Sequence, residues 1–324
     1  MSQKGLVHAL VFDKKGSAKE ISYEHLKNYE YDDGLLLWVH FVYSSSEANE
    51  WIAEYSGIDP IAVEALLTDE TRPRTTILDE NILIALRGVN LNPNSDPEDM
   101  ISIRLYISEN LIISTKKRDL LSVKDIVNSL NHNKGPINSS EFLVAIADRL
   151  TCRMEGTIDN IQDNASEIEE LVIESNSLEL RTKISTIRRE AIALRRYLSP
   201  QREAIYTLYH AKISWINDYD KIQLREINDQ LIRYVEELDS INDKVALVQD
   251  ELTNKVTEQM NKRMYLLSII SAIFLPLGFL TGLLGINVGG IPGAENTNSF
   301  MIFTVFLLVM GVLQYYLLKK FKWI

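Results

Sequence analysis

The chain has 324 residues, enough for about two domains, and its 45 acidic and 34 basic side chains give a formal net charge of -11. This negative balance argues against a nucleic-acid-binding protein, because a phosphate backbone is bound by basic patches. The single cysteine, Cys152, excludes an internal disulfide and a cysteine-based zinc cluster. We expect Cys152 to be buried in a core. The first residues lack the layout of a secretory signal, so we expect the N-terminal part to stay in the cytoplasm.

The first third of the chain mixes strand-like and helix-like segments. Asn90 to Met100 is rich in asparagine and proline and predicts a turn between two strands. These patterns predict a cytoplasmic α/β domain over residues 1–130. The predicted strands are Leu6–Phe12, Leu35–Phe41, Thr75–Leu78, Ile82–Val89, Ile101–Ile107 and Leu111–Ser114, and the predicted helices are Trp51–Tyr55 and Pro60–Leu67.

From about Ser122 onward, helix-like sequence patterns replace the strand-like ones. The segment Asn131 to Ser140 marks the join, and Ser139-Ser140-Glu141 predicts a helix N-terminus. Helical periodicity then runs to Leu198, where Ser199-Pro200 is expected to end it. We therefore predict a cytoplasmic helical funnel and stalk over residues 131–263.

One very long helix is predicted from about Tyr219 to Leu284, because this stretch has Pro276 as its one proline and no glycine before Gly278. It would contain roughly 65 residues and measure about 100 Å. Its first half has apolar residues at alternating steps of four and three, the seam of a coiled coil. Packing on the chain's own helices and packing on a partner chain both stay open. The seam residues are Ile227, Leu231, Tyr234, Leu238, Ile241, Val245, Val248 and Leu252.

Two uncharged apolar runs near the end predict two transmembrane helices, at residues 264–284 and 300–318. Each approaches the roughly 20 residues that span a bilayer. Lysine and arginine precede the first span and follow the second, and they are absent from the connecting loop, 285–299. We therefore expect this loop to be extracytoplasmic and both termini to be cytoplasmic. The flanking basic residues are Lys262 and Arg263 before the first span, and Lys319, Lys320 and Lys322 in the basic tail 319–324.

An acidic stripe lies on the face of the long helix opposite the seam. Repeated around an oligomer axis, it would form a vestibule that concentrates cations. An ordinary solvated coiled-coil face is the alternative. The stripe consists of Asp229, Glu236, Asp239, Asp243 and Asp250.

The same face continues toward the membrane with small, hydroxyl and apolar residues. It predicts either a pore wall with hydrophobic constrictions or tight helix packing through small residues. The candidate pore-lining residues are Met260, Met264, Leu267, Ser271, Leu275, Gly278 and Gly282.

The loop between the spans carries the most specific motif. Gly285-Ile286-Asn287, at the end of the first of two C-terminal spans, resembles the GxN signature of the CorA family of divalent metal transporters. The wider segment LLGINVGGIPG is similar to the ZntB-type zinc-transporter branch, as are Thr71-Arg72-Pro73-Arg74 and LRRYLSPQRE. The likeness covers the whole chain.

The resemblance implies a homopentamer with a funnel-shaped cytoplasmic domain, first spans around a central pore and second spans in an outer ring. It also implies that Asn287 presents its carboxamide to a hydrated cation at the pore mouth. We expect Glu295 to raise the local cation concentration there. Leu284 and Ile286 stand where the family's magnesium channels have Tyr and Met, which argues against magnesium.

The expected function is divalent metal transport across the cytoplasmic membrane, with Zn²⁺ as the leading ion and Ni²⁺, Cd²⁺, Co²⁺ or Mg²⁺ as further candidates. Direction and proton coupling stay open. The alternatives are a magnesium, cobalt or nickel channel of the same family, and a membrane-anchored coiled-coil scaffold or sensor. We expect no enzyme and no bound cofactor, because P-loop, GxSxG and HExxH motifs are absent from the sequence.

Overall fold

The computed structural model describes residues 5–29, 34–69, 72–174, 178–285, 291, 293 and 296–321. The chain forms two compact units, Met1–Gln249 and Asp250–Ile324. The α/β domain and the predicted helical region as far as Gln249 therefore share one compact unit, whereas residues 250–263 of that region belong to the second unit.

A seven-stranded sheet organises the first unit, in the order β2-β1-β3-β7-β6-β5-β4. Neighbouring strands are antiparallel except β3 and β7, which are parallel. The six predicted strands are confirmed, and the sequence missed only the short edge strand β2 among the strands described. The strands are β1 Leu6–Phe12, β2 Ala18–Glu20, β3 Leu37–Val42, β4 Arg74–Leu78, β5 Asn81–Gly88, β6 Ile101–Ile107 and β7 Leu111–Lys116.

Short helices precede the sheet's last strands and long helices follow them. The predicted long helix is confirmed as α7, which continues through Pro276. The helices are α1 Tyr23–Lys27, α2 Ser46–Glu50 with a π-helical turn Trp51–Tyr55, α3 Pro60–Leu67, α4 Leu121–Asn131, α5 Ser139–Glu174, α6 Leu178–His210, α7 Asp218–Leu284 and α8 Ser299–Lys320.

Both faces of the sheet are covered. On one face Phe41 packs against Trp51, with ring centroids 5.6 Å apart, in a core that α1 to α3 close. On the other face Trp38 meets Phe142 of α5 edge-on at 4.8 Å. Because the sheet is buried on both sides, its central strands are almost continuously apolar.

The start of α5 uses a cap that the sequence placed one residue too late. Asn138, not the two serines, caps the helix: its Oδ1 accepts from the N–H of Glu141 at 2.8 Å, and Glu141 Oε2 accepts from the N–H of Ile137 at 3.0 Å. This reciprocal pair resembles a capping box. The hydroxyls of Ser139 and Ser140 instead bond to the carbonyl of Glu109 and the carboxylate of Asp220.

The predicted helix end at Ser199-Pro200 is wrong, because α6 runs through Pro200 to His210. A proline removes one helix donor, but the turns around it are held by tertiary contacts. Leu198 and Gln201 are almost fully buried, and Gln201 Oε1 accepts from the backbone N–H of Arg87 at 2.7 Å. Packing against the sheet thus overrides the local preference.

Cys152 is exposed, so its predicted burial is wrong. It follows a buried residue of α5, Thr151, and lies beside Asp148 with its Sγ 3.5 Å from Asp148 Oδ1. Partial burial and the neighbouring carboxylate raise the pKa of the Cys152 thiol. The thiol is therefore a surface group of low reactivity.

The α7 seam packs on the chain's own helices. Its seven residues within the first unit are all buried, and burial raises the pKa of Tyr234 to about 12. This answers the question that the heptad pattern left open. The seven are Ile227, Leu231, Tyr234, Leu238, Ile241, Val245 and Val248.

Candidate ion pathway

The two apolar helices of the second unit contact each other along one face. A Cβ added to Gly311 of α8 would lie 4.0 Å from Leu277 Cδ1 of α7. The partly buried positions of the first apolar helix all lie on the side of Leu277: Ile269, Ile273, Pro276, Leu277 and Leu280. These positions define the side of the first span that the second span covers.

The predicted pore-lining residues lie on the opposite side of α7 and are exposed. Leu277 and Gly282 are five residues apart, which is about 140° around the helix. Beyond the adjoining backbone of its own helix, a Cβ added to Gly278 or Gly282 would meet no atom of the described residues within 4 Å. The glycines are therefore not packed against α8, and their face is open for another surface. The exposed set is Met260, Met264, Leu267, Ser271, Leu275, Gly278 and Gly282.

One hydroxyl on this face, that of Ser271, is available to hydrogen-bond water. Ser268 Oγ donates to the carbonyl of Met264 at 2.8 Å, and Thr281 Oγ1 donates to the carbonyl of Gly278 at 3.0 Å. Ser271 makes no such bond among the described residues. A hydroxyl that does not bond to its own helix can hydrogen-bond the hydration shell of an ion.

The loop motif begins at a position that requires glycine. Gly285 donates its N–H to the carbonyl of Thr281 at 2.9 Å, and an added Cβ would lie 2.7 Å from that oxygen. A side chain at residue 285 would therefore disturb the end of α7. Ile286, Asn287 and Glu295 lie outside the described residues.

The five residues of the acidic stripe fall into two groups. Asp239 faces Arg195 of α6, which donates from Nε to Oδ1 and from Nη2 to Oδ2, the latter at 3.1 Å. This bidentate contact raises the pKa of Arg195. Asp229 is half-buried in a groove beside Arg202 and Arg225.

The remaining three residues of the stripe are exposed and carry no cationic partner within the described part of the chain. They are Glu236, Asp243 and Asp250. Asp239 is therefore a neutralised member of the acidic stripe, and the electrostatic pull of the stripe rests on the other members. The arginines of α6 recur at heptad spacing, and this pattern is the sequence signal from which the pairing of Asp239 with Arg195 could have been predicted.

No cluster of three or more His, Cys, Asp or Glu side chains suited to a metal ion occurs among the residues that the structure describes. His40 is fully buried and its Nδ1 lies 2.7 Å from Ser114 Oγ. Burial lowers the pKa of His40 well below its usual range. His25, His132 and His210 are exposed and His8 is half-buried. What the described residues offer a cation is charge and an open face, rather than a set of ligands.

Both α7 and α8 are long and apolar enough to cross a membrane. Together with the α/β unit, they define a membrane-anchored protein with a large domain before its two C-terminal spans. Residues 33–320 match the family described as CorA-like Mg2+ transporter protein. The chain belongs to this family, and the resemblance predicted from the GxN motif is confirmed.

Two curated relatives match the chain over its whole length. The divalent cation transporter CmaX of Pseudomonas aeruginosa is 35% identical over 324 residues, which cover 99% of this chain and 98% of the relative. The zinc transport protein ZntB of Pectobacterium atrosepticum is 34% identical over 324 residues, 100% of this chain and 98% of the relative. The structure of full-length CmaX matches with a TM-score of 0.85 and 34% identity, and the match covers 100% of both chains.

Proposed function

We propose that the chain carries divalent metal cations, zinc foremost, across the cytoplasmic membrane through a pore on the axis of a homopentamer. In this assembly the first spans line the pore, the second spans form the outer ring, and both termini are cytoplasmic. Two spans from one chain enclose no aqueous path, so several copies are required. The relatives named as zinc and divalent cation transporters support the ion class.

The observation that carries the proposal is the open face of the first span. The Ser271, Gly278 and Gly282 side of α7 is turned away from α8 and is free of packing within the described residues. The two glycines keep side chains out of the path, and Ser271 offers a hydroxyl to water. Apolar Met264, Leu267 and Leu275 on the same face would act as constrictions that lose water when the pore closes.

The pore face has no charged or histidine side chain, so the ion would pass with part of its hydration shell. An ion that shed its water in such a path would lose more solvation than neutral groups return. At the mouth, the amide of Asn287 would hydrogen-bond shell water without trapping the metal, with Glu295 drawing cations to the entrance. Asp243 and Asp250, with Glu236, would do the same at the cytoplasmic end.

Cysteine accessibility tests the pore face. Cys152→Ser removes the one native thiol, and Ser271→Cys or Gly278→Cys then places a single thiol on the proposed wall. Zinc flux into proteoliposomes should fall after a water-soluble methanethiosulfonate reagent is added. The matched control is Val312→Cys, because Val312 is exposed on the side of α8 away from Leu277. Equal effects on all three variants would refute the assignment of faces.

Asn287→Ala tests the mouth. We expect it to abolish metal flux while pentamers still form on a sizing column. Undiminished zinc flux would count decisively against the pathway.

Ion competition tests the choice of metal. In a zinc transporter, zinc should outcompete magnesium during flux, whereas in a magnesium, cobalt or nickel channel it should not. Zinc uptake with and without an imposed pH gradient tests proton coupling. The two spans contain no acidic, basic, histidine or cysteine residue, so a coupling group must lie outside them, at Glu295 or among the cytoplasmic acids.

A further inference from the structure

The two long helices that precede α7 carry opposite charge. From Asp148 to Glu170, α5 has seven acidic and two basic residues, and from Arg181 to Arg202, α6 has seven basic residues and one acidic residue. Mixed signs are usual on a solvated helix face, so a separation of this kind between neighbouring helices requires an explanation.

These charges are not neutralised between the two helices. Within the part of the chain that the structure describes, no ion pair joins α5 to α6. We call the exposed acids of α5 the acidic flank and an exposed set on α6 the basic flank. The acidic flank is Glu155, Asp159, Asp163, Glu167 and Glu170, and the basic flank is Arg181, Arg188, Arg189, Ile192, Arg196 and Tyr206.

Three members of the basic flank, Arg188, Ile192 and Tyr206, also belong to a helix-packing seam of α6. Arg188, Ile192, Arg195, Ser199, Arg202 and Tyr206 follow one another at alternating steps of four and three. Both apolar members, Ile192 and Tyr206, are 50% exposed. The other seam of α6, which includes Leu194 and Leu198, is buried inside the chain. Arg188 and Arg195 of this seam reach Gln249 and Asp239 of α7, whereas the exposed halves of Ile192 and Tyr206 are open to a further surface.

The two flanks lie on different sides of α7. Lys244 of α7 reaches α5, with Nζ 3.3 Å from Glu169 Oε2, and Asp239 of α7 pairs with Arg195 of α6. Lys244 and Asp239 are five residues apart, about 140° around the helix. Helix α7 thus has α5 on one side and α6 on the other, and neighbouring copies can meet these sides separately.

We propose that the basic flank of α6 in one copy docks on the acidic flank of α5 in the next copy of this chain, head to tail around a ring. This inference rests on the homo-oligomer of the proposed function and names the surface that joins its subunits. Because the flanks lie on different sides of α7, a twofold contact made through one flank alone would bring that flank against itself and set like charges together. A heterologous contact pairs opposite charges and closes into a ring.

The test reverses charge on each flank of the full-length chain in detergent. The basic-flank variant is Arg188→Glu with Arg196→Glu, and the acidic-flank variant is Glu155→Lys with Asp159→Lys. Each should raise the protein concentration at half-dissociation at least tenfold, measured by light scattering at 0.1 M salt. The matched control, Lys15→Glu with Lys19→Glu, reverses two exposed charges of the β1–β2 hairpin and should change nothing.

Combining both reversals in one chain separates docking from misfolding. Each reversed flank then meets a reversed flank in the next copy, so the oligomer should return, and the helical circular dichroism of all variants should match. Oligomers that resist either single reversal would overturn the proposal. So would variants that assemble normally but lose binding to vesicles rich in phosphatidylglycerol, because the basic flank would then be a lipid surface. Zinc flux is measured in parallel: a normally assembled but inactive wild type would refute the proposed function and leave this interface standing.

Discussion

The charge of Asp243 gives the sharpest test of the acidic vestibule. Asp243 is exposed and has no ion-pair partner among the described residues, so Asp243→Asn removes a charge without breaking a contact. At a separation of one Debye length, about 10 Å at 0.1 M salt, a divalent cation and one carboxylate attract by about 0.8 kcal/mol in water before screening and about 0.3 kcal/mol after it. In the proposed homopentamer, five copies would sum to about 1.5 kcal/mol, or roughly tenfold in local cation concentration.

The assay is initial zinc flux in proteoliposomes at subsaturating metal. Asp243→Asn should lower flux about tenfold at 0.1 M salt. At 1 M salt, where the Debye length is about 3 Å, it should lower flux by less than about 1.5-fold. Glu24→Gln, an exposed neutralisation on α1, is the matched control. Flux that is unchanged at low salt, or reduced equally at both salt concentrations, would refute the reasoning, because only screened attraction predicts the difference.

Three further predictions concern stability, each read from unfolding of the detergent-solubilised chain. His40 is held neutral in the fold because burial lowers its pKa. Below about pH 6.5 the unfolded chain binds the extra proton, so the free energy of unfolding falls by up to about 1.4 kcal/mol for each pH unit by which the pH is lowered. His40→Gln should remove this pH dependence, and a dependence that persists would assign it to another group. Asp220, 1% exposed, accepts hydrogen bonds from Ser140 and Asn217, so Asp220→Ala should cost about 3 kcal/mol and Asp220→Asn clearly less. Pro200→Ala should raise stability by about 1–3 kcal/mol because it restores a helix donor; a loss would show that the proline ring itself packs.

The features that the sequence predicted well are those set by long periodic patterns. The extent of α7 followed from the scarcity of glycine and proline between Tyr219 and Leu284, and the buried seam followed from its heptad spacing. The strands followed from short β-branched and aromatic runs that end in turn residues. The family followed from Gly285-Ile286-Asn287 at the end of the first span, since three residues carry weight only in that position.

The features that could not be predicted from the sequence depend on contacts between distant segments of the chain. A proline ends most helices, and only the burial of Leu198 and the bond from Arg87 to Gln201 explain why α6 continues through Pro200. A lone free cysteine is usually a buried residue, but on α5 the neighbouring Thr151 faces the core and Cys152 is exposed. In the sequence the five residues of the acidic stripe are equivalent charges, whereas in the structure the antiparallel packing of α6 on α7 pairs Arg195 with Asp239. The roles of Asn287 and Glu295 stay predictions.

The division of charge along α7 suggests how one helix serves two tasks in the proposed pore. Charges that attract a divalent ion must stay in water, because a carboxylate in the bilayer core costs several kcal/mol and would hold the metal too tightly to release it. The exposed acids Asp243 and Asp250 lie before the apolar run, and the face of Ser271, Gly278 and Gly282 is neutral. Attraction and passage are thus assigned to different residues. It follows that losing an acid should change the apparent affinity for the ion at low salt, whereas adding bulk at Gly278 should lower the maximal flux at every salt concentration.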